Sequence, residues 1–346
     1  MLVVDCSGTP YEIGKCHGSA AKEQIGKCVD FYSGLFWTQS KQSWAQVQKT
    51  AQTFEENIKA SWPQYYEEIL GISDGCGRHV LDIIALNVRT EVAFGMFSDG
   101  CTSLSWHGPN AAMLGQNWDW MPEQKESMII LRIKDDGERP SIAMVTEAGI
   151  IGKIGFNAFG VGVCLNAIRT KGCNSNGLPV HFGLRMALES RSAAEAANRM
   201  TAIGMASSAH ILIADEKEAI GFEFTSTTFS RLPMDQNNCV AHSNHLLGDH
   251  PGIYEPGWLA DSAIRVDVMT KLAAEFVRKP GEPTFEEFSK LFEDEKNYPA
   301  AICRKFEAES TAETLFGIVV DLKNKSSVVK LGRPVAPDET INLRCL

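Results

Sequence analysis

The chain has 346 residues, 44% of them hydrophobic, and a formal net charge of −10. That length supports one or two domains around a sizeable core. A diffuse acidic balance offers no basic field to attract phosphates, so neither nucleic acid nor an anionic membrane surface is expected as a partner.

The opening Met1-Leu2-Val3-Val4-Asp5 lacks the long apolar run of a secretory signal. The most apolar stretch, Ile154 to Ile168, is too short and too rich in Gly and Asn to cross a bilayer. A soluble intracellular protein is expected. Ten cysteines stand at positions 6, 16, 28, 76, 101, 164, 173, 239, 303 and 345, with no CxxC pair. This pattern indicates neither a zinc site nor a disulfide framework. Reduced thiols, mostly buried as small apolar groups, are the expectation.

The first hundred residues read as helical. Thr9-Pro10 opens a helix with Glu12 in its first turn, and apolar positions recur through Phe36. Further helical periodicity covers Trp44 to Ile58, Tyr65 to Ile72 and Asp82 to Phe94. His17 and Arg89 fall here and read as structural. From Thr102 the texture changes to β-branched residues, aromatics and glycines. Strands are predicted over Ser103–His107, Ala112–Trp118, Met128–Ile133, Ile142–Val145 and Ile154–Ala167. Helices follow over His181–Ser190 and Ala193–Met200. Strands return at His210–Ala214, Ala219–Phe224 and Val240–His242. Asp261–Val277 and Phe285–Phe292 read as helices, with Pro280-Gly281-Glu282-Pro283 as the turn between them. A hairpin around Lys323-Asn324-Lys325 joins Leu315–Asp321 to Ser327–Leu331. Two blocks of strands with helices before and between them suggest sheets packed between helical layers, a mixed α and β class.

Four places carry residues fit for chemistry. Asp99-Gly100-Cys101-Thr102-Ser103 sits where helices give way to strands. A thiol there can attack the carbonyl of the preceding residue and form a thioester that water hydrolyses. Glycine suits this, since it leaves the carbonyl unshielded and tolerates a strained backbone. Cleavage would free the α-amino group of Cys101, whose pKa of about 7.7–8.0 lets it serve as base for its own thiol. The dipeptide alone equally describes a buried cysteine opening a strand. Gly115-Gln116-Asn117-Trp118-Asp119-Trp120 ends a strand. Asp119 is there an exposed turn residue or, if it faces Cys101, a carboxylate that orients the new amine. Ala241-His242-Ser243-Asn244-His245 follows another strand, with His250 nearby. No carboxylate helix or cysteine pair completes a metal site there, so none is expected. The Asn244 amide either caps a turn or donates to a developing oxyanion. Arg304, after Ile302-Cys303, makes a surface salt bridge or enters a pocket to bind a carboxylate or support the nucleophile.

Taken together, these blocks resemble the fungal acyl-coenzyme A:isopenicillin N acyltransferase family, cysteine enzymes of the N-terminal-nucleophile hydrolase superfamily. The resemblance runs in order over nearly the whole chain. It starts with Gly8-Thr9-Pro10-Tyr11-Glu12-Ile13-Gly14 and His17-Gly18-Ser19-Ala20-Ala21-Lys22, then Trp62-Pro63-Gln64-Tyr65-Tyr66-Glu67-Glu68-Ile69 and Leu86-Asn87-Val88-Arg89-Thr90-Glu91. It continues through Asp99-Gly100-Cys101-Thr102, Gly115-Gln116-Asn117-Trp118-Asp119 and Thr146-Glu147-Ala148-Gly149-Ile150-Ile151-Gly152-Lys153. Tyr298-Pro299, Ile302-Cys303-Arg304 and Leu331-Gly332-Arg333-Pro334 close the series.

The resemblance implies an α+β fold, the αββα four-layer sandwich. It implies a precursor cut at Gly100-Cys101 into an α subunit, 1–100, and a β subunit, 101–346, which stay together as one unit and a heterodimer. Cys101 resembles the family's nucleophile, and Asp119, Asn244 and Arg304 fall on family active-site positions. The implied reaction exchanges the side chain of isopenicillin N: Cys101 attacks its amide with loss of L-α-aminoadipate, or takes an acyl group from acyl-CoA, and passes the acyl group to 6-aminopenicillanate. Acyl-CoA is then a co-substrate, and no metal or other cofactor is implied. In two places the chain departs from the family. Leu343-Arg344-Cys345-Leu346 does not fit a Ser-Lys-Leu type peroxisomal address, so the cytosol is expected. Thr225, a possible accessory residue, stands where the penicillin-making member has a serine, and its extra methyl would alter processing or substrate fit. Two other functions compete: an amidohydrolase of the same fold acting on another linear amide, and an uncut, non-catalytic binding protein. The intact Gly100-Cys101, Asp119, Asn244 and Arg304 disfavour the latter.

Overall fold

The computed structural model describes residues 1–93, 100–134, 137–256, 260–307 and 310–346. Phe94 and Asp99, at the end of an expected helix and beside the expected cleavage site, lie outside the described residues. The chain opens with a strand absent from the sequence reading, β1 (Leu2–Cys6). Six helices follow: α1 (Pro10–Ala20), α2 (Lys22–Ser40), α3 (Trp44–Ser61), α4 (Pro63–Cys76), α5 (Val80–Asn87) and α6 (Arg89–Ala93). The Thr9 hydroxyl accepts the Glu12 N–H while the Glu12 carboxylate accepts the Thr9 N–H at 2.8 Å, a reciprocal cap that fixes the start of α1. The single helix expected through Phe36 is broken at Ala21. The break lets α1 lie against α4 at backbone contact. A Cβ on Gly14 would stand 1.9 Å from the Glu68 carbonyl oxygen, and one on Gly71 2.1 Å from that of Tyr11. Only glycine permits that approach.

The remaining strands are β2 (Gly100–His107), β3 (Ala112–Trp120), β4 (Met128–Ile133), β5 (Ile142–Glu147), β6 (Ile154–Asn157) and β7 (Gly162–Ala167). Helices α7 (Val180–Leu188) and α8 (Ala193–Ile203) precede β8 (Ala209–Ala214), β9 (Ala219–Phe224), β10 (Phe229–Leu232) and β11 (Cys239–His242). Then come α9 (Asp261–Arg278), α10 (Phe285–Lys290), β12 (Glu313–Asp321), β13 (Ser326–Leu331) and β14 (Glu339–Arg344). The run predicted as one strand over Ile154–Ala167 is a hairpin, turned where Gly160 takes φ +86°.

Among the described residues, eight strands form one sheet in the order β1-β4-β5-β6-β7-β8-β9-β10, and six form the other, β11-β2-β3-β12-β13-β14. The sheets face each other through β2 and β3 against β7. Helices α7, α8 and α2 cover the first sheet, and α9 and α10 cover the second. The layer order is therefore α-β-β-α, as the resemblance implies. Strands β2 and β3 lie in the middle of this stack and are buried along their whole length. Alternation along β3 then sorts its polar residues. Gln116 faces the other sheet, where its amide oxygen accepts the Leu165 N–H at 2.9 Å. Asn117 faces the helical side and donates to Phe292 O at 2.8 Å and Ile302 O at 3.0 Å.

The N-terminal segment is not a separate body. β1 pairs in parallel with β4, so it supplies the edge of the larger sheet. His17 Nε2 accepts the Gly149 N–H at 3.0 Å, and Asn87 bonds both Gly149 O at 2.8 Å and the Ile151 N–H at 2.9 Å. One core cluster runs from Val4 to Leu343. Among the described residues, no helix is long and apolar enough to cross a membrane.

Candidate active site

Cys101 is the second residue of β2 and is fully buried. On one side β2 pairs with β3, which sets Cys101 opposite Trp118 and Gly100 opposite Asp119. On the other side it pairs with β11, in a register running from Cys239 opposite Trp106 to His242 opposite Ser103. That register, continued by two residues, brings Asn244 opposite Cys101. The strand has ended there, and the side chain takes the place of the main chain: Asn244 Oδ1 accepts the Cys101 N–H at 2.8 Å. A buried amide that the ladder would leave orphaned is thereby satisfied. The Asn244 NH2 donates to Ala167 O at 3.0 Å. The oxygen end of the amide thus meets the Cys101 N–H, while the NH2 end, the donor for an oxyanion in the sequence reading, bonds Ala167 O.

Asp119 is an interior strand residue with no exposure, not the exposed turn residue its sequence context allows. Its Oδ1 accepts the Thr314 hydroxyl at 2.7 Å from the neighbouring strand β12, and Arg304 Nε lies 3.3 Å from Oδ2. Arg304 is held in turn by its own N–H, which donates to Thr314 Oγ1 at 2.8 Å. Its Nη2 pairs with Asp261 at the start of α9. It is buried, so the surface salt bridge is set aside. Gly100 lies against this pair. A Cβ there would stand 3.1 Å from Asp119 Oδ2 and 3.5 Å from Arg304 Cζ. Glycine serves here by giving room beside the pair.

The sequence reading missed Arg265. This arginine has no exposure and sits one turn into α9. Its Nη1 donates to Cys101 O at 2.5 Å and to Thr102 Oγ1 at 3.1 Å, and its Nη2 to Asn244 Oδ1 at 2.8 Å. Its Nε reaches Asp261 Oδ2 at 3.3 Å. Burial pulls its pKa down, opposed by Asp119 and Cys101; an arginine stays charged nonetheless. The one sequence signal was its place four residues after Asp261, a spacing that reads as an ordinary exposed helical pair.

Other sequence candidates lie elsewhere in the network or outside it. The Thr225 hydroxyl accepts the Thr228 N–H at 2.9 Å and holds the turn between β9 and β10. His242 Nε2 faces Glu223 at 2.7 Å, its ring stacks on His210, and His250 reaches the same carboxylate at 3.2 Å. His245 Nδ1 lies 2.7 Å from the Ser262 hydroxyl. Among the other cysteines, burial pushes the thiols of Cys28, Cys173, Cys239 and Cys345 up to about 12 and that of Cys303 up to about 11. Such thiols remain protonated near neutral pH and are poor nucleophiles.

Asp119, Asn244, Arg304 and Gly100 thus converge on Cys101, from β3, the segment after β11, the segment before β12, and β2. This arrangement can present a thiol beside a nitrogen held by a neutral amide, with two guanidinium groups and two carboxylates around it. The family model for acyl-coenzyme A:6-aminopenicillanic acid acyl-transferase matches residues 106–336. The acyl-coenzyme A:6-aminopenicillanic-acid-acyltransferase 40 kDa form of Emericella nidulans is 45% identical over 345 residues, covering 98% of this chain and 95% of that protein. Among solved structures, penicillin V acylase from Agrobacterium tumefaciens aligns with a TM-score of 0.49 at 10% identity, over 70% of this chain and 86% of that one. On the family match and the full-length relative, the chain belongs to the acyl-coenzyme A:6-aminopenicillanic acid acyl-transferase family of enzymes.

Proposed function

We propose that this protein is a self-processing penicillin acyltransferase that uses Cys101 as its nucleophile. The observation that carries the reading is the Cys101 nitrogen, bonded to Asn244 Oδ1 at 2.8 Å within the buried Asp119–Arg304 cluster. In processing, the Cys101 thiol attacks the Gly100 carbonyl carbon. The C–N bond breaks as the thioester forms, and the proton lost by sulfur ends on the freed amine. Water then hydrolyses the thioester, leaving a carboxylate on Gly100 and a free thiol on Cys101. The resulting fragments, 1–100 and 101–346, remain a heterodimer.

In turnover the α-amine takes the thiol proton, with Asn244 Oδ1 accepting one of its N–H bonds. Asp119 and Arg304 stand beside it and set the local charge. The thiolate attacks the thioester of an acyl-CoA and expels coenzyme A, leaving an acyl-enzyme. The amine of 6-aminopenicillanate attacks that acyl carbon, forming the new amide and restoring the thiol. With isopenicillin N as donor, the same attack releases 6-aminopenicillanate, and hydrolysis of the acyl-enzyme yields L-α-aminoadipate. Acyl-CoA is a co-substrate, and no metal takes part. The free thiols suit a reducing compartment.

Purified protein given 6-aminopenicillanate and phenylacetyl-CoA is expected to form benzylpenicillin, read by mass spectrometry. Release of phenylacetate and coenzyme A without benzylpenicillin would show thioester hydrolysis alone, and cleavage of a linear amide under the same conditions would instead make it an amidohydrolase of the same fold. Neither product would remove the acyltransferase reading.

A further inference from the structure

We propose that Arg265 is a positioning residue for both self-cleavage and acyl transfer, acting through Asn244 and the backbone of Cys101. This inference rests on Cys101 being the nucleophile.

The first turn of α9 touches Asn244, Arg304 and Cys101 alike. Ser262 Oγ accepts the Asn244 N–H at 2.6 Å, and its hydroxyl lies 2.7 Å from that of Ser243. Asp261 joins Arg265 to Arg304, and Arg304 reaches Asp119. Arg265 itself bridges the two groups whose relation decides the chemistry, Cys101 O and Asn244 Oδ1. Before the cut, Asn244 and Arg265 hold Cys101 at its N–H and its C=O, which fixes the stretch of backbone from which the thiol must reach the Gly100 carbonyl. After the cut, Cys101 becomes a chain end at the start of β2. A new terminus of this kind would ordinarily fray. Arg265 keeps its carbonyl fixed, and through Asn244 Oδ1 it also fixes the amine acceptor.

Only a fork can do this. Arginine presents its donors in a rigid plane, so Nη1 and Nη2 reach Cys101 O, Thr102 Oγ1 and Asn244 Oδ1 while Nε holds Asp261. Lysine at the same position would keep the charge but supply one nitrogen for four partners. Positioning acts on the reacting atoms and not on substrate affinity. Its loss therefore lowers kcat and the cleavage rate and leaves KM alone.

Four full-length chains test this: wild type, Arg265→Lys, Asn244→Ala and the double variant, with Cys101→Ala as the reference for the underlying reading. Cleavage is followed by intact mass, turnover by steady-state kinetics, and folding by circular dichroism. Arg265→Lys is expected to fold and to slow cleavage and kcat by about 10²-fold, the scale of a misplaced reacting group. KM for 6-aminopenicillanate and acyl-CoA should stay within about threefold. The double variant should cleave no more than about threefold slower than the worse single one, because both changes break one unit. Cleavage and kcat of Arg265→Lys within threefold of wild type would overturn the inference, as would a KM rise matching the kcat loss or multiplicative losses in the double variant. If Arg265→Lys does not fold, Arg265→Gln, which keeps one donor, takes its place under the same criteria. An uncut but active wild type, or an active Cys101→Ala, would sink the nucleophile reading instead, a result distinct from any of these.

Discussion

Two buried charge networks in this molecule look alike and do different things. One gathers on Glu147, where a carboxylate with no exposure accepts from Arg89 at 3.0 Å, Lys153 at 2.5 Å and Gln124 at 3.1 Å, and from the Tyr32 hydroxyl. The other runs Asp119–Arg304–Asp261–Arg265. Both are buried but for the partly exposed Asp261, both pair carboxylates with cations, and both lie against the β2–β3 pair, since Lys153 sits 4.1 Å from the centre of the Trp118 ring. The difference is where the bonds end. Those of Glu147 close on side chains from both segments of the chain, Tyr32 and Arg89 from the first and Gln124 and Lys153 from the second. Those of the second network reach the C=O of a cysteine through Arg265 and, by way of Asn244 Oδ1, its N–H. Burial and perturbed charge mark both as costly arrangements. On the proposed reading, contact with the backbone of Cys101 is what separates a site from a fastening.

The sharpest way to break the comparison is Glu147→Ala. It leaves Arg89 and Lys153 buried without their shared anion, so stability should fall by about 3–5 kcal/mol. Denaturant unfolding measures this. Cleavage and kcat per folded molecule should be unchanged. A lost activity in a fully folded variant would mean the two networks are one.

Asn244 gives the reverse pattern. Asn244→Ala removes both ends of the amide, and acyl transfer should slow by roughly 10²–10³ with little loss of fold. Asn244→Asp keeps an oxygen for the Cys101 nitrogen but loses the NH2. If the amide works by holding the amine, the aspartate variant should recover much of the rate. If it works as the oxyanion donor expected from the sequence, alanine and aspartate should be equally slow.

pH sharpens the contrast from the side of stability. Burial lowers the pKa of His17 to about 4, with Arg185 adding to the shift. A folded pKa below the unfolded one means the unfolded chain binds the proton first. Stability is then full above about pH 6.5 and falls as pH drops toward 4. For this one histidine the loss between pH 6.5 and 5 is about 2 kcal/mol, from about 1.4 kcal/mol per unit. Glu147 adds a loss lower still. Burial pushes its carboxyl up, but Arg89 and Lys153 outweigh that and hold it well below the usual range. Its contribution is present above about pH 4.3 and is lost only as pH falls through its depressed value. Unfolding curves at pH 7, 6 and 5 should show a steady decline, and a flat response would contradict the buried neutral His17.

What the sequence made legible follows the range of the interactions. Local signals succeeded: the helix opened at Thr9-Pro10 with Glu12 in its first turn, the helical periodicity from Trp44, and the hairpin around Lys323-Asn324-Lys325, where Lys325 takes φ 53°. β1 was illegible because its partner β4 lies more than a hundred residues away and five residues carry no periodicity of their own. β14 is an edge strand, mostly exposed, and too polar to read as one. Cys101, Asp119, Asn244 and Arg304 stood out through the resemblance, and each had a bland local reading beside it. Arg265 was hidden by its own helix, since an Asp261–Arg265 spacing is common on exposed faces and nothing local says that this face meets β2.

The central claim is that the chain cuts itself before Cys101 and works from the exposed cysteine. Intact mass of the purified protein, beside that of Cys101→Ala, tests it most directly. The account predicts two fragments from the wild type, ending at Gly100 and beginning at Cys101, that co-elute under native conditions, and one uncut, inactive chain from the variant. A wild-type protein that remains a single chain with full acyltransferase activity would contradict it.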